Sequence, residues 1–488
     1  MHFKNALLAI AFIMLSTIAF IAPSQAKELT VDQIFDNKAF KSERSKSASW
    51  LKDGSGYSLI EKSDTVKDGF DANLYDPATG KKTTLIKAED LIPTGTDKPL
   101  KIEDFTWSDD GSLALIYTNS LKVWRYKTQG DYWILNRETK ALHKVGKKSL
   151  ASSLMFAKFS PDGTKIAYVQ KIPAKNGKAI HDIYVEGVDG KKRKRLTKDG
   201  SMTIFNGTFD WVYEEELSLR DGFRWSPDSK KIAYWQLDSS KVRDFTMINN
   251  TDAKDNYPTL HTFSYPKVGE TNSAARIGVV SARGGKTKWM NIPGDKRNHY
   301  LAWMEWAANS TEIAVQQLNR RQNTNRLFYA NAKSGKATNI FTDKDDAWLN
   351  PVTDFTWLND GAEFLWVSEA GGWRQILRVS RDGKTVKNIT PGAFDVTRIR
   401  RIDTKGGYVY FDASPTDPQR MYLYRVAIDG SSKAERLTPQ DQIGIHSYQI
   451  SHDGKWAFHS WSNRSKVSTK HMVSLPDHKK LNTISGFW

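Results

Sequence analysis

Phe159-Ser160-Pro161-Asp162-Gly163-Thr164-Lys165-Ile166-Ala167-Tyr168-Val169 decides the architecture of this chain. An aromatic residue runs into a Ser-Pro-Asp-Gly turn, and a short strand rich in β-branched and aromatic residues follows it. The same unit recurs from one end of the sequence to the other. Trp50-Leu51-Lys52-Asp53-Gly54 and Trp107-Ser108-Asp109-Asp110-Gly111 precede it; Trp225-Ser226-Pro227-Asp228, Trp306-Ala307-Ala308-Asn309 and Trp357-Leu358-Asn359-Asp360-Gly361 come after. Ile402-Asp403-Thr404-Lys405-Gly406 is a weaker copy, and Ile450-Ser451-His452-Asp453-Gly454 closes a set of eight.

Successive copies start 57, 52, 66, 81, 51, 45 and 48 residues apart. A four-stranded propeller blade takes about 40 to 50 residues, so most intervals hold one blade and two adjacent ones hold inserted material. A second series of turns runs out of phase with the first: Asp76-Pro77-Ala78-Thr79-Gly80, Val188-Asp189-Gly190, Ser281-Ala282-Arg283-Gly284-Gly285, Lys333-Ser334-Gly335, Arg381-Asp382-Gly383, Ile428-Asp429-Gly430 and Pro476-Asp477-His478. Asp-Gly and related pairs tolerate positive φ and suit hairpins, which gives two hairpins and four strands per repeat. Lys165 to Val169 and Lys231 to Trp235 read as strands of this kind. The expectation is an all-β, eight-bladed propeller of four-stranded blades over residues 45–485. A short helical segment, Thr30-Val31-Asp32-Gln33-Ile34-Phe35, stands before it within residues 27–44. The recurring aromatics read as core between neighbouring blades.

The rest of the composition fits. At 488 residues, with 39% hydrophobic and 12% aromatic residues, the chain has material for a large core and is longer than a typical single domain. Cysteine is absent, which excludes disulfides, thiolate zinc sites and a cysteine nucleophile. Residues 1–26 combine Lys4, an apolar run from Ala6 to Ala22, and Ser24-Gln25-Ala26 before Lys27, the pattern of a cleaved signal peptide. An uncleaved anchor is the alternative, but the run is shorter than the roughly 20 residues a membrane span prefers. Export to the periplasm or the medium is expected, with no membrane span after cleavage. The net charge of +17 is densest at Lys191-Lys192-Arg193-Lys194-Arg195, beside a hairpin turn. No zinc-finger spacing or RNA-binding aromatic signature accompanies the run, so a charged hairpin is expected rather than a nucleic-acid site.

Chemistry concentrates in the first long interval, at Asp210-Trp211-Val212-Tyr213-Glu214-Glu215-Glu216-Leu217. A solvated acidic loop is the bland reading. Carboxylates sharing a site repel unless a cation neutralises them, and the free α-amine of a peptide, with a pKa of about 7.7 to 8.0, is such a cation. Neighbouring residues on a strand face opposite ways, so two adjacent acids can converge on one amine only from a helical turn.

This motif, with Arg224-Trp225-Ser226-Pro227 and Ile232-Ala233-Tyr234, resembles the propeller of dipeptidyl peptidase IV in the prolyl oligopeptidase clan, and the resemblance runs from about Leu29 to about Lys480. It implies that Glu215 and Glu216 clamp the N-terminal amine of a peptide. It also implies that Arg125, in Trp124-Arg125-Tyr126 with Tyr132 beyond, hydrogen-bonds a substrate carbonyl. The segment after Trp235, with Tyr257-Pro258 and Tyr265-Pro266-Lys267, is similar to the family's dimerisation arm, so a homodimer is implied. The family's serine nucleophile belongs to an α/β-hydrolase domain with a Gly-x-Ser-x-Gly elbow. No such elbow occurs here: Gly56-Tyr57-Ser58-Leu59-Ile60 and Gly430-Ser431-Ser432-Lys433-Ala434 each lack the closing glycine. The expectation is therefore a propeller without its catalytic domain, with no catalytic residue, metal or cofactor of its own. It would serve either as the substrate-recognition part of a serine peptidase, with a separate hydrolase domain as partner, or as a stand-alone propeller binding peptides or proteins without proteolysis. His446, His452, His459, His471 and His478 crowd the last repeat without metal-ligand spacing and read as surface or turn histidines.

Overall fold

The computed structural model describes residues 29–35, 48–174, 178–251 and 256–481. The leader read at residues 1–26 lies outside them, as does most of the linker that follows. The helix Val31–Phe35 starts where expected: Gln33 N–H donates to Thr30 Oγ1 at 3.2 Å and Thr30 N–H donates back to Gln33 Oε1 at 3.3 Å, a capping box. Lys46–Ser485 forms a separate compact unit, and its regular secondary structure is nearly all strand among the described residues.

The repeated turns form because their side chains replace solvent for the turn backbone. Ser160 Oγ donates to Asp162 Oδ1 at 2.6 Å, the same carboxylate oxygen accepts from Thr164 N–H at 3.1 Å, and Lys165 N–H donates to Ser160 Oγ at 3.0 Å. Burial alone would raise the Asp162 carboxyl; the bonds from Ser160 and Thr164 outweigh it and hold it at about 2. Ser226 with Asp228 and Ser451 with Asp453 repeat the latch. These turns also stitch sheets together: Asp162 N–H donates to Ser229 Oγ, and Asp228 N–H to Ser310 Oγ, each hydroxyl belonging to the next repeat.

Strands pair antiparallel in chain order in four-stranded sheets that begin at Ser49, His299, Thr356 and Val396, and in a three-stranded sheet that begins at Ile445. The strands from Asp104 to Trp289, apart from the separate hairpin Asp244–Asn249 and Thr259–Ser264, join into one 13-stranded sheet. It is continuous because Gln129 and Gly130 pair with Met155 and Leu154, and because Ile204–Asn206 lies parallel to His181 on one side and antiparallel to Gln236–Asp238 on the other. Each aromatic of the repeat falls at or near the end of a sheet's first strand. Trp225 Nε1 donates to Lys158 O, Trp306 Nε1 to Arg224 O and Trp50 Nε1 to Gln449 O, each reaching the strand that carries the preceding copy of the repeat around the ring. For Trp50 that strand belongs to the last sheet in the chain, so the same contact that links neighbours closes the ring of the propeller. Phe458 stacks on Trp50 at 4.6 Å and completes this seam.

The basic run is part of the scaffold. Arg195 pairs with buried Asp182 at 2.5 Å, and Arg193 donates to Tyr168 Oη at 2.8 Å and lies 3.8 Å from Glu186. The reading of the C-terminal histidines as surface or turn residues is corrected for three of them: His446 and His459 are buried and stacked with Tyr448 in the last sheet, and His478 is buried edge-on to Tyr448. Sequence spacing missed this because alternate positions of neighbouring strands share one face, and His446 and His459 meet only across the strand pair.

In such sheets the first and third turns lie at one end, and the second turns and inter-sheet connections at the other. The Ser-x-Asp turns occupy the first end. The turn at Trp124-Arg125, between strands Leu113–Val123 and Tyr126–Asn136, and the acid motif, in the connection before Phe223–Trp225, therefore share the second.

Trp235 shows how much the inter-sheet aromatics contribute. It is fully buried and its Nε1 donates to Leu301 O of the next sheet at 2.9 Å. Trp235→Ala should lower unfolding free energy by about 3 to 5 kcal/mol in urea titration, from the cavity and the orphaned carbonyl together.

Candidate functional site

The acid motif folds as a helix, Trp211–Glu215, with Glu216 as its C-cap in αR conformation. Asp210 starts it: its backbone is extended, its Oδ1 accepts from Tyr213 N–H at 3.1 Å, and its Oδ2 accepts from Ser273 Oγ at 2.5 Å. Burial raises the Asp210 carboxyl despite these bonds. Tyr213 anchors the other side, its ring buried and its hydroxyl accepting from Leu301 N–H at 3.1 Å. The helical turn required for adjacent acids to converge is thus present. Its single turn is held by tertiary contacts, since so short a helix has no stability of its own.

The three acids then meet different environments. Glu214 is 4% exposed, and burial pushes its carboxyl up to about 7, with Glu215 and Asp210 adding to the rise and Arg220 opposing it. Glu215 pairs with Arg125, Nε to Oε2 at 2.7 Å; the carboxylate side chain is 11% exposed and the arginine 76%. Glu216 is exposed, with no ion pair to its carboxylate among the described residues.

Arg125 is delivered by a strained turn. Trp124 has φ of +52°, unfavourable for a bulky residue, and its ring packs edge-on against Phe263 at 4.7 Å. Phe263 belongs to the hairpin Asp244–Asn249 and Thr259–Ser264, whose flanking Tyr265 also meets Trp211 at 4.3 Å. Arg220 ties the two halves of the site: its guanidinium lies 3.6 Å over Tyr126 and donates to Glu214 O at 3.3 Å. Beside the acid helix a cavity of about 190 Å³ is lined by Trp124, Met155, Lys171, His181, Glu214 and Phe263, among others.

Residues 108–467 match the family described as the dipeptidyl peptidase IV (DPP IV) N-terminal region. The chain belongs to the dipeptidyl peptidase IV family. The dipeptidyl peptidase 4 of Trichophyton rubrum is 26% identical over 463 residues, covering 92% of this chain and 56% of its own length. Dipeptidyl aminopeptidase B of Saccharomyces cerevisiae is 26% identical over 386 residues, covering 76% of this chain and 45% of its own. The crystal structure of Porphyromonas gingivalis dipeptidyl peptidase 4 superposes with a TM-score of 0.80 at 24% identity, over 94% of this chain and 62% of that one, which supports the propeller fold. The chain spans about half the length of the curated relatives it matches.

In this dipeptidyl peptidase IV family member, the sequence-derived residues Arg125 and Glu215 come together from positions 90 residues apart, with Glu216 next along the helix. Ser273, Arg220 and Trp124 were not singled out from sequence. Arg220, six residues after Glu214 and a full turn beyond the helix, carries no spacing signal. Among the described residues no cluster of His, Asp or Glu could hold a metal ion.

Glu214 makes the helix pH-sensitive. A carboxyl raised in the folded state stabilises most below its unfolded pKa near 4.5, and that contribution is lost as pH rises through about 7. Glu214→Gln, neutral throughout, should therefore unfold at higher temperature than wild type at about pH 8, by roughly 1 to 3 kcal/mol, with the difference vanishing toward about pH 5 in thermal melts.

Proposed function

We propose that this chain is the substrate-recognition propeller of an exported dipeptidyl peptidase IV-like serine peptidase, eight-bladed, gripping the free N-terminal amine of a peptide between Glu215 and Glu216. The observation that carries the reading is the Arg125 to Glu215 pair. It leaves the second oxygen of Glu215 and the whole Glu216 carboxylate to meet an ammonium, and leaves guanidinium N–H groups to donate to the first peptide carbonyl, which suits a rigid fork of donors. A side chain as exposed as Arg125 contributes only about 0 to 1 kcal/mol to its ion pair, so the pair can open to admit substrate.

A hydrolase domain would supply the nucleophile and shield the site. In support of a covering partner, exposed Leu150, Met202, Trp348, Trp373 and Ile443 all lie in second turns or inter-sheet connections, at the end of the sheets that carries Arg125. Single exposed apolar residues are ordinary; a set confined to one end reads as an interaction face. Among the described residues no helix is long and apolar enough to cross a membrane.

Titration calorimetry tests the amine grip. A short peptide with a free N-terminus should bind at least about tenfold more tightly than its acetylated form, and Glu215→Gln with Glu216→Gln should erase that preference. Equal binding of both peptides would end the proposal.

The hairpin Asp244–Asn249 and Thr259–Ser264 is read as a dimerisation arm. Met247, Ile248 and Leu260 are exposed along it, an apolar surface that a second copy would cover. Wild type should sediment as a dimer at micromolar concentration and Ile248→Glu with Leu260→Glu as a monomer.

A further inference from the structure

The last sheet buries a chain of histidines, two of which share a hydrogen bond that is satisfied with both rings neutral. His446 Nε2 lies 2.9 Å from Gln442 O, which can only accept, so this nitrogen carries the proton. His446 Nδ1 is then the bare nitrogen, and it accepts from His459 Nε2 at 2.8 Å. The two rings are coplanar with centroids 5.1 Å apart. His478 Nε2 meets Tyr448 Oη at 2.8 Å and stands edge-on to His459 at 4.8 Å; Tyr448 Oη in turn meets Thr438 Oγ1 at 3.0 Å. One added proton creates a buried imidazolium in this pair, and a second leaves two N–H groups facing each other.

Among the described residues, the charged groups around this stack are mostly cations. From the preceding sheet come Arg400 and Arg436, with Asp412 already paired to Arg400 at 2.6 Å. Arg436 lies over Tyr422 and Lys466 over Trp461, the two rings that pack on His446, so their faces already carry cations. The third strand adds His471, Lys466 and Lys470, and the following turn adds Lys480, with Asp477 acting on His478. Burial is the leading cause in each case, and it holds His446 down at about 4 and His459 at about 2.

Tyr422 packs on His446 and Thr438 Oγ1 meets Tyr448 Oη, so the histidine face of the last sheet is turned to the preceding sheet, which begins at Val396. Phe458, which stacks on Trp50 of the first sheet, neighbours His459 on the same strand and so faces the other way. We propose that the histidine stack makes the last sheet an acid-sensitive latch, so that acidification frees it from the preceding sheet and opens the ring at that seam.

The sign follows from linkage. Histidines with depressed folded pKa values stabilise fully above their ordinary value near 6.5, and that stability drains away as pH falls below it toward about 4. Hydrogen exchange followed by mass spectrometry, corrected for the intrinsic pH dependence of exchange, reads this strand by strand. Between about pH 7.5 and about pH 5, protection of residues 456–463 should fall at least tenfold relative to residues 363–368, in the sheet that begins at Thr356 and holds no histidine. His446→Gln with His459→Gln should abolish the selective fall. Unchanged relative protection in wild type, or an equal fall in the double variant, would overturn the latch. If the double variant does not fold, the ratio in wild type decides by itself.

Discussion

A ring of sheets that exchanges no strand between its first and last members, among the described residues, is held shut by side chains alone. The contact that does this is Trp50 Nε1 to Gln449 O, backed by the stacking of Trp50 on Phe458. It repeats, across 399 residues of sequence, the bond that Trp225 and Trp306 make to their immediate neighbours. Each tryptophan fills the gap between two sheets and satisfies a carbonyl there, so packing and hydrogen bonding demand the same residue. Every other feature, the acid helix included, is positioned by the ring those contacts define.

The candidate site depends on a local reinforcement of that ring. The strands between Asp104 and Trp289, apart from the hairpin Asp244–Asn249 and Thr259–Ser264, run as one continuous sheet, and both the Arg125 turn and the acid helix hang from it. Asp210 fixes the start of the helix, Tyr213 its depth and Arg220 its distance from the turn. The hairpin that packs on Trp124 and Trp211 then links a strained turn to a one-turn helix. Neither would hold its shape in isolation.

Charge is used locally throughout. In the densest basic run, Arg193 and Arg195 are tied to Glu186 and Asp182 inside the scaffold. Three consecutive glutamates share no common fate. One turn of helix sends Glu214 into a buried wall, Glu215 onto a guanidinium and Glu216 into solvent, because successive helical residues point about 100° apart.

Sequence alone determined the propeller class, the strands after Phe159 and Trp225, and the need for a helical turn at Glu215, because turns and alternation are local properties written every few residues. It also marked Arg125 and Glu215 through family resemblance. Only the tertiary structure decided that these two touch, that Arg220 and Ser273 support them, and that His446, His459 and His478 are interior. Those facts depend on which strand lies beside which, and a partner 90 or 399 residues away leaves no periodic trace in the chain.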